Sequence, residues 1–226
     1  MTMGAVSMHP AARDASEQEP DTTETDTTVT APGTLFNPPE DSTCLSVAAD
    51  PVVTDTGDVP SVWLVEAHPG AGADTAEQVF APFANAGAVI PAANEWPAVV
   101  IVAASHMPGV VAAHRLVRQF KTGKAGAAEL LGILWVDQTG EKYPKELARR
   151  ITTVQNIVES VWTLPYIPAW RGLLVDERPV WSPDDGVPTG KAAKRINPAT
   201  AVPAAVCAVG QEIHSTSLDL LKQMRT

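Results

Sequence analysis

The chain has 226 residues, 45% of them hydrophobic, which is enough for one domain with a buried core. Its net charge of −10 comes from residues 1–60, which hold one arginine and eleven acidic residues, because residues 61–226 hold fifteen charges of each sign. A neutral folded part argues against a general nucleic-acid binder.

No apolar run reaches the roughly 20 residues of a membrane helix. Cys44 and Cys207 lack the spacing of a disulfide framework or metal site. We therefore expect a cytoplasmic protein with reduced thiols, no membrane contact and no metal.

Residues 1–60 form the first compositional segment. They are rich in Thr, Asp, Glu and Pro and poor in apolar residues, as in the stretch 17–28. Such a composition cannot offset the entropy of ordering, so we predict a disordered tail. It serves either to keep the protein soluble or to tether a basic partner, and composition does not separate the two roles.

From residue 61 onward, apolar runs alternate with helical patterns. Strands are predicted at 62–65, 98–104, 130–136 and 161–164. Helices are predicted to begin at Asp74, Pro108 and Pro144, the first ending near Pro82 with Phe83 on its apolar face. In the second, Gln119 is placed on the polar face. Strands that alternate with helices indicate an α/β fold with a mainly parallel sheet.

The pattern predicts three segments. Residues 1–60 are the acidic tail, and residues 61–171 are the α/β domain. Residues 172–226 are rich in Pro, Gly and Ala, which predicts an irregular extension that ends in a short helix at 218–224.

The turn after the first strand has the setting of a phosphate-binding loop. Such a loop, G-x-x-x-x-G-K-[ST], rings phosphates with backbone N–H groups and adds a lysine for phosphate and a hydroxyl for Mg²⁺. Residues 67–74 keep its last glycine, Gly72, but place Ala73 at the lysine and Asp74 at the hydroxyl. A carboxylate about 5 Å from a phosphate costs on the order of 3 kcal/mol per like charge at an effective dielectric near 20. The sequence therefore predicts a loop that has lost its catalytic chemistry.

Asp74 has two interpretations that stay open at this point. The run Asp74-Thr-Ala-Glu77 resembles a capping box, in which the helix caps its own N–H groups. Alternatively, the loop is a weakened phosphate site, and His68 is the one residue that could restore binding.

The residues His68-Pro-Gly-Ala-Gly-Ala-Asp-Thr75 resemble the loop K-G-G-x-G-K-[ST]-[ST] of ParA/MinD-like P-loop proteins. His68 falls at the signature lysine, Gly70 and Gly72 match, and Thr75 keeps the final hydroxyl. The segment is also similar to an uncharacterised bacterial family associated with mobile elements. The resemblance implies a reduced P-loop-like three-layer sandwich. The chain departs from the family between residues 86 and 98, where an active relative carries the acids that orient Mg²⁺ and the attacking water, and this departure argues against ATP hydrolysis by the chain alone.

Other candidate sites follow the later strands. Asp137 follows the third predicted strand, where the resemblance implies a contact with a nucleotide base, although capping the turn at Gly140 explains it equally well. An aromatic group with an arginine is either an interface or the closure of the core, and comprises Trp162, Tyr166, Trp170 and Arg171.

The histidines His106 and His114 lack partners at ligand spacing, so we expect both at the surface. Ser105 has no base beside it, which argues against a nucleophilic triad.

Three functional hypotheses remain. The first is a non-catalytic P-loop-like binding or scaffold protein with a protein partner or as a homodimer, accessory to plasmid partition or conjugation as the resemblance implies. The second is a nucleotide switch with weak ATP or ADP binding, or an ATPase completed by a partner. The third is a nucleic-acid adaptor that uses Lys191, Lys194 and Arg195, and three cations are few for that role.

Overall fold

A computed structural model describes residues 37–52 and 59–225. Its centre is a five-stranded sheet in which every pair of neighbouring strands is parallel. The strands are β1 (Val62–Glu66), β2 (Phe83–Gly87), β3 (Ala98–Ala104), β4 (Glu129–Val136) and β5 (Ser160–Leu164). The helices are α1 (Ala73–Val79), α2 (Met107–Lys121), α3 (Lys145–Gln155), α4 (Gly190–Arg195) and α5 (Ala204–Met224). The predicted α/β class with a parallel sheet is confirmed.

Both faces of the sheet are covered, which explains the continuous apolar strands. In β1, Leu64 points into a core shared with α1 and α5, whereas Trp63 points into a core shared with α2 and α3. All seven residues of β3 are buried. Helices therefore pack on both faces of the central sheet.

The strand order is β2-β1-β3-β4-β5. The chain leaves β1 for β2 at one edge and then returns past β1 to β3, so the direction of winding reverses between β1 and β3. In doubly wound sheets, ligands bind outside the carboxyl ends of the strands at this reversal. The carboxyl edge of the sheet is therefore the place to look for a site.

Strand β2 was not predicted, and the placement of Phe83 on a helix is wrong. Helix α1 ends at Val79, and Phe83 begins β2 beside β1. The sequence of β2, Phe-Ala-Asn-Ala-Gly, has no β-branched residue, so its strand character comes from pairing with Val62 and its neighbours rather than from propensity.

The C-terminal helix is three times as long as predicted. Helix α5 spans 21 residues, and Val206, Cys207 and Ile213 are buried in the core that α1 shares. Trp181 from the preceding segment joins them, and its backbone bonds to Val79 and Ala81 beside α1. Residues from the predicted irregular extension thus complete one face of the domain.

Residues 37–45, which the sequence assigns to a disordered tail, instead lie along α2, and residues 46–48 pair with Ile90. Gln119, predicted on the polar face of α2, is buried, and its amide accepts from Leu45 N at 2.9 Å and donates to Leu45 O at 2.8 Å. Arg118 donates to the carbonyls of Asn37 and Pro38. Residues 1–36 and 53–58 of the predicted tail lie outside the described residues.

Candidate functional site at the carboxyl edge of the sheet

The β1–α1 turn, residues 67–72, has the backbone of a tight strand-to-helix turn. Gly70 and Gly72 adopt positive φ angles of 75° and 95°. A Cβ on Gly72 would lie 2.9 Å from Val136 Cγ1 at the end of β4, so this position needs glycine for both conformation and space. The carbonyl of Gly70 accepts from Gln138 Nε2 at 3.3 Å. Packing against the end of β4 therefore fixes the turn.

The two positions that matter for phosphate chemistry face elsewhere. The methyl group of Ala73 is fully buried in the core, so no space is open there for a lysine. Asp74 does not cap α1, because Gly72 is the N-cap and provides no side chain, and the capping-box interpretation is wrong. Instead, Asp74 Oδ1 accepts from Asn85 Nδ2 of β2 at 2.8 Å.

An acidic group surrounds Asn85 at this end of the edge. Glu77 accepts from Asn85 N at 2.8 Å, and Glu66 lies close enough to Asp74 to sense its charge. Burial first, and the charge of Asp74 second, raise the pKa of Glu66 above its ordinary value. The carboxylates of Asp74 and Glu66 would therefore repel a further negative charge beside the turn. These residues do not fit Mg²⁺-ATP, which needs a cation for its phosphates.

His68 is a structural residue at the reversal between β1 and β3. Its Nε2 accepts from Ala104 N at 3.2 Å, and its Nδ1 lies 2.9 Å from Pro69 O, an arrangement that suits a neutral ring with the proton on Nδ1. Its ring centroid lies 5.1 Å from that of His106. A Cβ on Gly109 would lie 2.9 Å from His68 Nε2, so the glycine makes room for this ring.

His106 and Ser105 have structural roles too. His106 is the N-cap of α2, and its Nδ1 accepts from Gly109 N at 3.0 Å, so it is not simply a surface residue as predicted. Ser105 donates to Val136 O at 3.2 Å and has no hydrogen bond to a base among the described residues. His114 is half-buried, and burial followed by the charges of Arg118 and Arg150 lowers its pKa.

A second feature of the same edge is a cavity of about 200 Å³ beyond β4 and β5. Apolar side chains form part of its wall, and its polar residues are Thr75, Asp137, Gln138, Tyr166, Arg171 and Arg178. Asp137 accepts from the backbone N–H groups of Thr139 and Gly140, both at 3.1 Å. It therefore caps the turn and also lines the cavity.

Arg178 reaches the cavity from the segment after β5. Its Nη1 donates to Thr75 Oγ1, and its carbonyl accepts from Gln78 Nε2 at 3.3 Å, so α1 positions it. Its Nε is buried and has no acceptor among the described residues. Arg178 was not predicted as a site residue, since nothing near it in the chain marks it as one.

The predicted aromatic interface divides between core and cavity. Trp162 and Trp170 are buried, and Trp170 Nε1 donates to Pro198 O at 2.8 Å, so neither can anchor a partner. Tyr166 is half-buried and Arg171 is exposed, and both line the cavity. The basic cluster lies in α4, later in the chain than the cavity residues, and its side chains are exposed. It comprises Lys191, Lys194 and Arg195.

Residues 60–181, just over half of the chain, match a family of unknown function, DUF6668. The chain belongs to this family. The match covers all five strands, the β1–α1 turn and the arginines Arg171 and Arg178, and it ends before α4. No curated protein and no solved structure matches the chain. DUF6668 thus includes the whole carboxyl edge described above but brings no activity with it.

Residues 37–52 and 59–225 contain neither a membrane-crossing helix nor a cluster of metal ligands. None of the helices there has the length and apolar character that crossing a bilayer requires. The same residues contain no group of three or more His, Cys, Asp or Glu side chains that could hold a metal ion.

Proposed function

We propose that this DUF6668 protein is a non-catalytic, P-loop-like binding domain that works with a protein partner. The proposal rests on the environment of residues 73 and 74. Ala73 is buried in the core, and the carboxylate of Asp74 accepts a hydrogen bond from Asn85. A nucleoside triphosphatase needs a cation and a metal-binding hydroxyl at these positions. The turn therefore retains the shape of a phosphate loop without its chemistry.

Electrostatics support the same conclusion. A phosphate seated over the turn would approach Asp74 and Glu66, and Glu66 already has a raised pKa. Each like charge at about 5 Å costs on the order of 3 kcal/mol at an effective dielectric near 20. A binding role that does not place a triphosphate on this turn is the one these residues suit.

The experiment is a calorimetric titration of the full chain with ATP, ADP and GTP to millimolar concentration, with and without Mg²⁺, together with a phosphate-release assay. We expect no Mg²⁺-dependent binding and no phosphate release. The variant Asp74→Asn, which keeps a side chain able to bond Asn85, tests the reason: weak nucleotide binding that emerges only in this variant would identify the carboxylate as the excluding group. Mg²⁺-dependent turnover by the wild-type protein would refute the proposal.

Exposed apolar side chains support a protein partner. Leu174 is 68% exposed and Val180 is 52% exposed, and Val175 and Val187 in the same stretch are also exposed. Exposed apolar groups that concentrate in one region mark interaction surfaces more often than isolated ones do. Sedimentation of the wild-type protein against the double variant Leu174→Ser/Val180→Ser tests whether the partner is a second copy, since a homodimer would dissociate in the variant. As the sequence resemblance implies, such a protein would be accessory to plasmid partition or conjugation.

One observation favours the nucleotide switch as a second candidate. Arg178 donates to Thr75, the residue that aligns with the final hydroxyl of the ParA/MinD-like loop, and so brings a cation to a loop that lacks lysine. Under this candidate, ADP binds the wild-type protein, and both His68→Ala and Thr75→Val weaken that binding. Unchanged ADP affinity in the two variants would eliminate the switch.

A further inference from the structure

The cavity beyond β4 and β5 holds an excess of positive charge. Arg171 and Arg178 both line it, and neither forms an ion pair with any carboxylate in the part of the chain that the structure describes. Asp137 is the acidic residue of the lining, and its Oδ1 is occupied by two backbone N–H groups. Two guanidinium groups therefore line one small space without a carboxylate partner among the described residues.

Arg178 is held in place but only partly satisfied. Its Nη1 bonds Thr75 and its carbonyl bonds Gln78, while its Nε is buried without an acceptor among the described residues. A buried donor without an acceptor costs roughly 1–3 kcal/mol, and more when it carries charge. The planar guanidinium presents its N–H groups as a fork that matches the two oxygens of a carboxylate or phosphate. The guanidinium of Arg178 lines the cavity, so an oxyanion bound there would give it a charged hydrogen-bond acceptor.

The acidic group around Asn85 is directed to β2 rather than to the cavity. Asp74 bonds Asn85 of β2, and β2 and β5 are the two outer strands of the sheet. The cavity lies beside β4 and β5, as its lining residues Val136 and Leu164 show, and Thr75, the residue after Asp74, also lines it. The hydrogen bond to Asn85 therefore holds the carboxylate of Asp74 toward β2, and Asp137 is the acidic residue in the cavity wall.

The size and wall of the cavity limit the ligand. Its volume of about 200 Å³ lies below the range of roughly 300–1,000 Å³ that is common for ligand clefts. Part of its wall is apolar or aromatic, from Leu164, Tyr166 and Trp170. A compact group fits better than a whole nucleotide.

We propose that this cavity is a binding site for a small oxyanion, a phosphate monoester or a carboxylate attached to an apolar or aromatic group, with Arg171 and Arg178 as its ligand-binding residues. The proposal deepens the binding role proposed above and rests on it only in requiring a ligand. It does not depend on the phosphate chemistry of the β1–α1 turn.

The test is calorimetric titration of the full chain with phenyl phosphate, benzoate and inorganic phosphate, with phenol as the uncharged probe. We expect saturable binding of phenyl phosphate or benzoate, whichever oxyanion the site prefers, and none of phenol. Arg171→Gln and Arg178→Gln should each weaken that binding about tenfold or more, since each removes charge-assisted hydrogen bonds. Arg195→Gln, an exposed arginine of α4, is the matched control and should leave it unchanged.

Measurements of stability make each result interpretable. Thermal unfolding of each variant shows that it is folded, and the exposed Arg171 provides a variant that does not disturb the interior. Absence of saturable binding by any of the anions, or equal affinity of wild type and both cavity variants, would overturn the proposal. Nucleotide turnover would refute the non-catalytic function but would leave this site intact, so the two failures can be told apart.

Discussion

At the β2 end of the sheet's carboxyl edge, the side chains of Glu66, Asp74 and Glu77 gather around Asn85. At the β5 end of the same edge, Arg171 and Arg178 face a cavity without a carboxylate partner among the described residues. Both ends lie on the carboxyl edge of the sheet, on either side of the reversal between β1 and β3. The difference teaches that a place on the carboxyl edge does not fix the chemistry of a site, because the side chains that meet at the two ends carry opposite charges.

The largest effect is expected at the turn between the two ends. Gly72→Ala should destabilise the protein by about 2–4 kcal/mol, since it combines a left-handed backbone with a clash against Val136. Gly70→Ala is the matched control: it has a similar φ but nothing within 4 Å of its Cβ, so we expect only about 1–2 kcal/mol. The measurement is the free energy of unfolding from denaturant titration.

A second variant separates space from backbone strain in that result. Val136→Ala introduced together with Gly72→Ala should recover part of the loss, which a double-mutant cycle measures as a coupling energy. Equal losses for Gly72→Ala and Gly70→Ala would show that packing against β4 does not hold the turn.

An intermediate effect is expected at the arginine end. Thr75→Val removes the acceptor of Arg178 and leaves the guanidinium less satisfied, which should cost about 1–3 kcal/mol. Arg178→Met removes the charge itself and should cost less, because an apolar side chain of similar length needs no acceptor. In the double variant the two losses should not add. Unfolding free energies of the three variants check this order, and a larger loss for Arg178→Met than for Thr75→Val would contradict it.

The smallest effect is expected at the acidic end. Because the folded state raises the pKa of Glu66 above its ordinary 4.5, protonation favours folding. The resulting stability is fully present below about pH 4.5 and is lost as the pH rises through the folded-state pKa. Glu66→Gln should therefore be more stable than the wild type at pH 7, by less than about 1 kcal/mol because this carboxyl is only half-buried.

The pH dependence of unfolding checks this prediction. The wild type should lose stability above pH 4.5 relative to Glu66→Gln, whereas the exposed Glu141→Gln should follow the wild type. If the unfolding free energies of wild type and Glu66→Gln changed with pH in parallel, the carboxylate of Glu66 would not destabilise the folded state.

The strands that could be predicted from the sequence are those made of continuous apolar residues. β3 and β4 are apolar runs bounded by polar or turn residues. A strand that is buried on both faces consists almost entirely of apolar residues, so its sequence is easy to identify. β2 escaped prediction because small residues and one asparagine form it, and pairing with β1 makes it a strand. Helix α5 was predicted too short because Gly210 and Ser217 occupy buried positions where a periodic pattern requires large apolar residues.

Those small residues are explained only by their neighbours. A Cβ on Gly210 would lie 2.6 Å from the ring of Trp181, so the glycine makes space for an indole 29 positions earlier in the chain. Ser217 donates to the carbonyl of Ser61 at the start of β1. Neither contact can be predicted from the residues next to Gly210 or Ser217 in the chain.

The sequence by itself determined the α/β class, the turn after β1 and the absence of a lysine from that turn, because hydrophobic periodicity and turn chemistry are local properties. Only the tertiary structure decided where charges meet. Parallel strands bring their carboxyl ends to one edge, so Arg178 contacts Thr75 across 103 positions of the chain and Asp74 contacts Asn85 of the neighbouring strand. The acidic and basic ends are thus products of strand order, which no local pattern specifies.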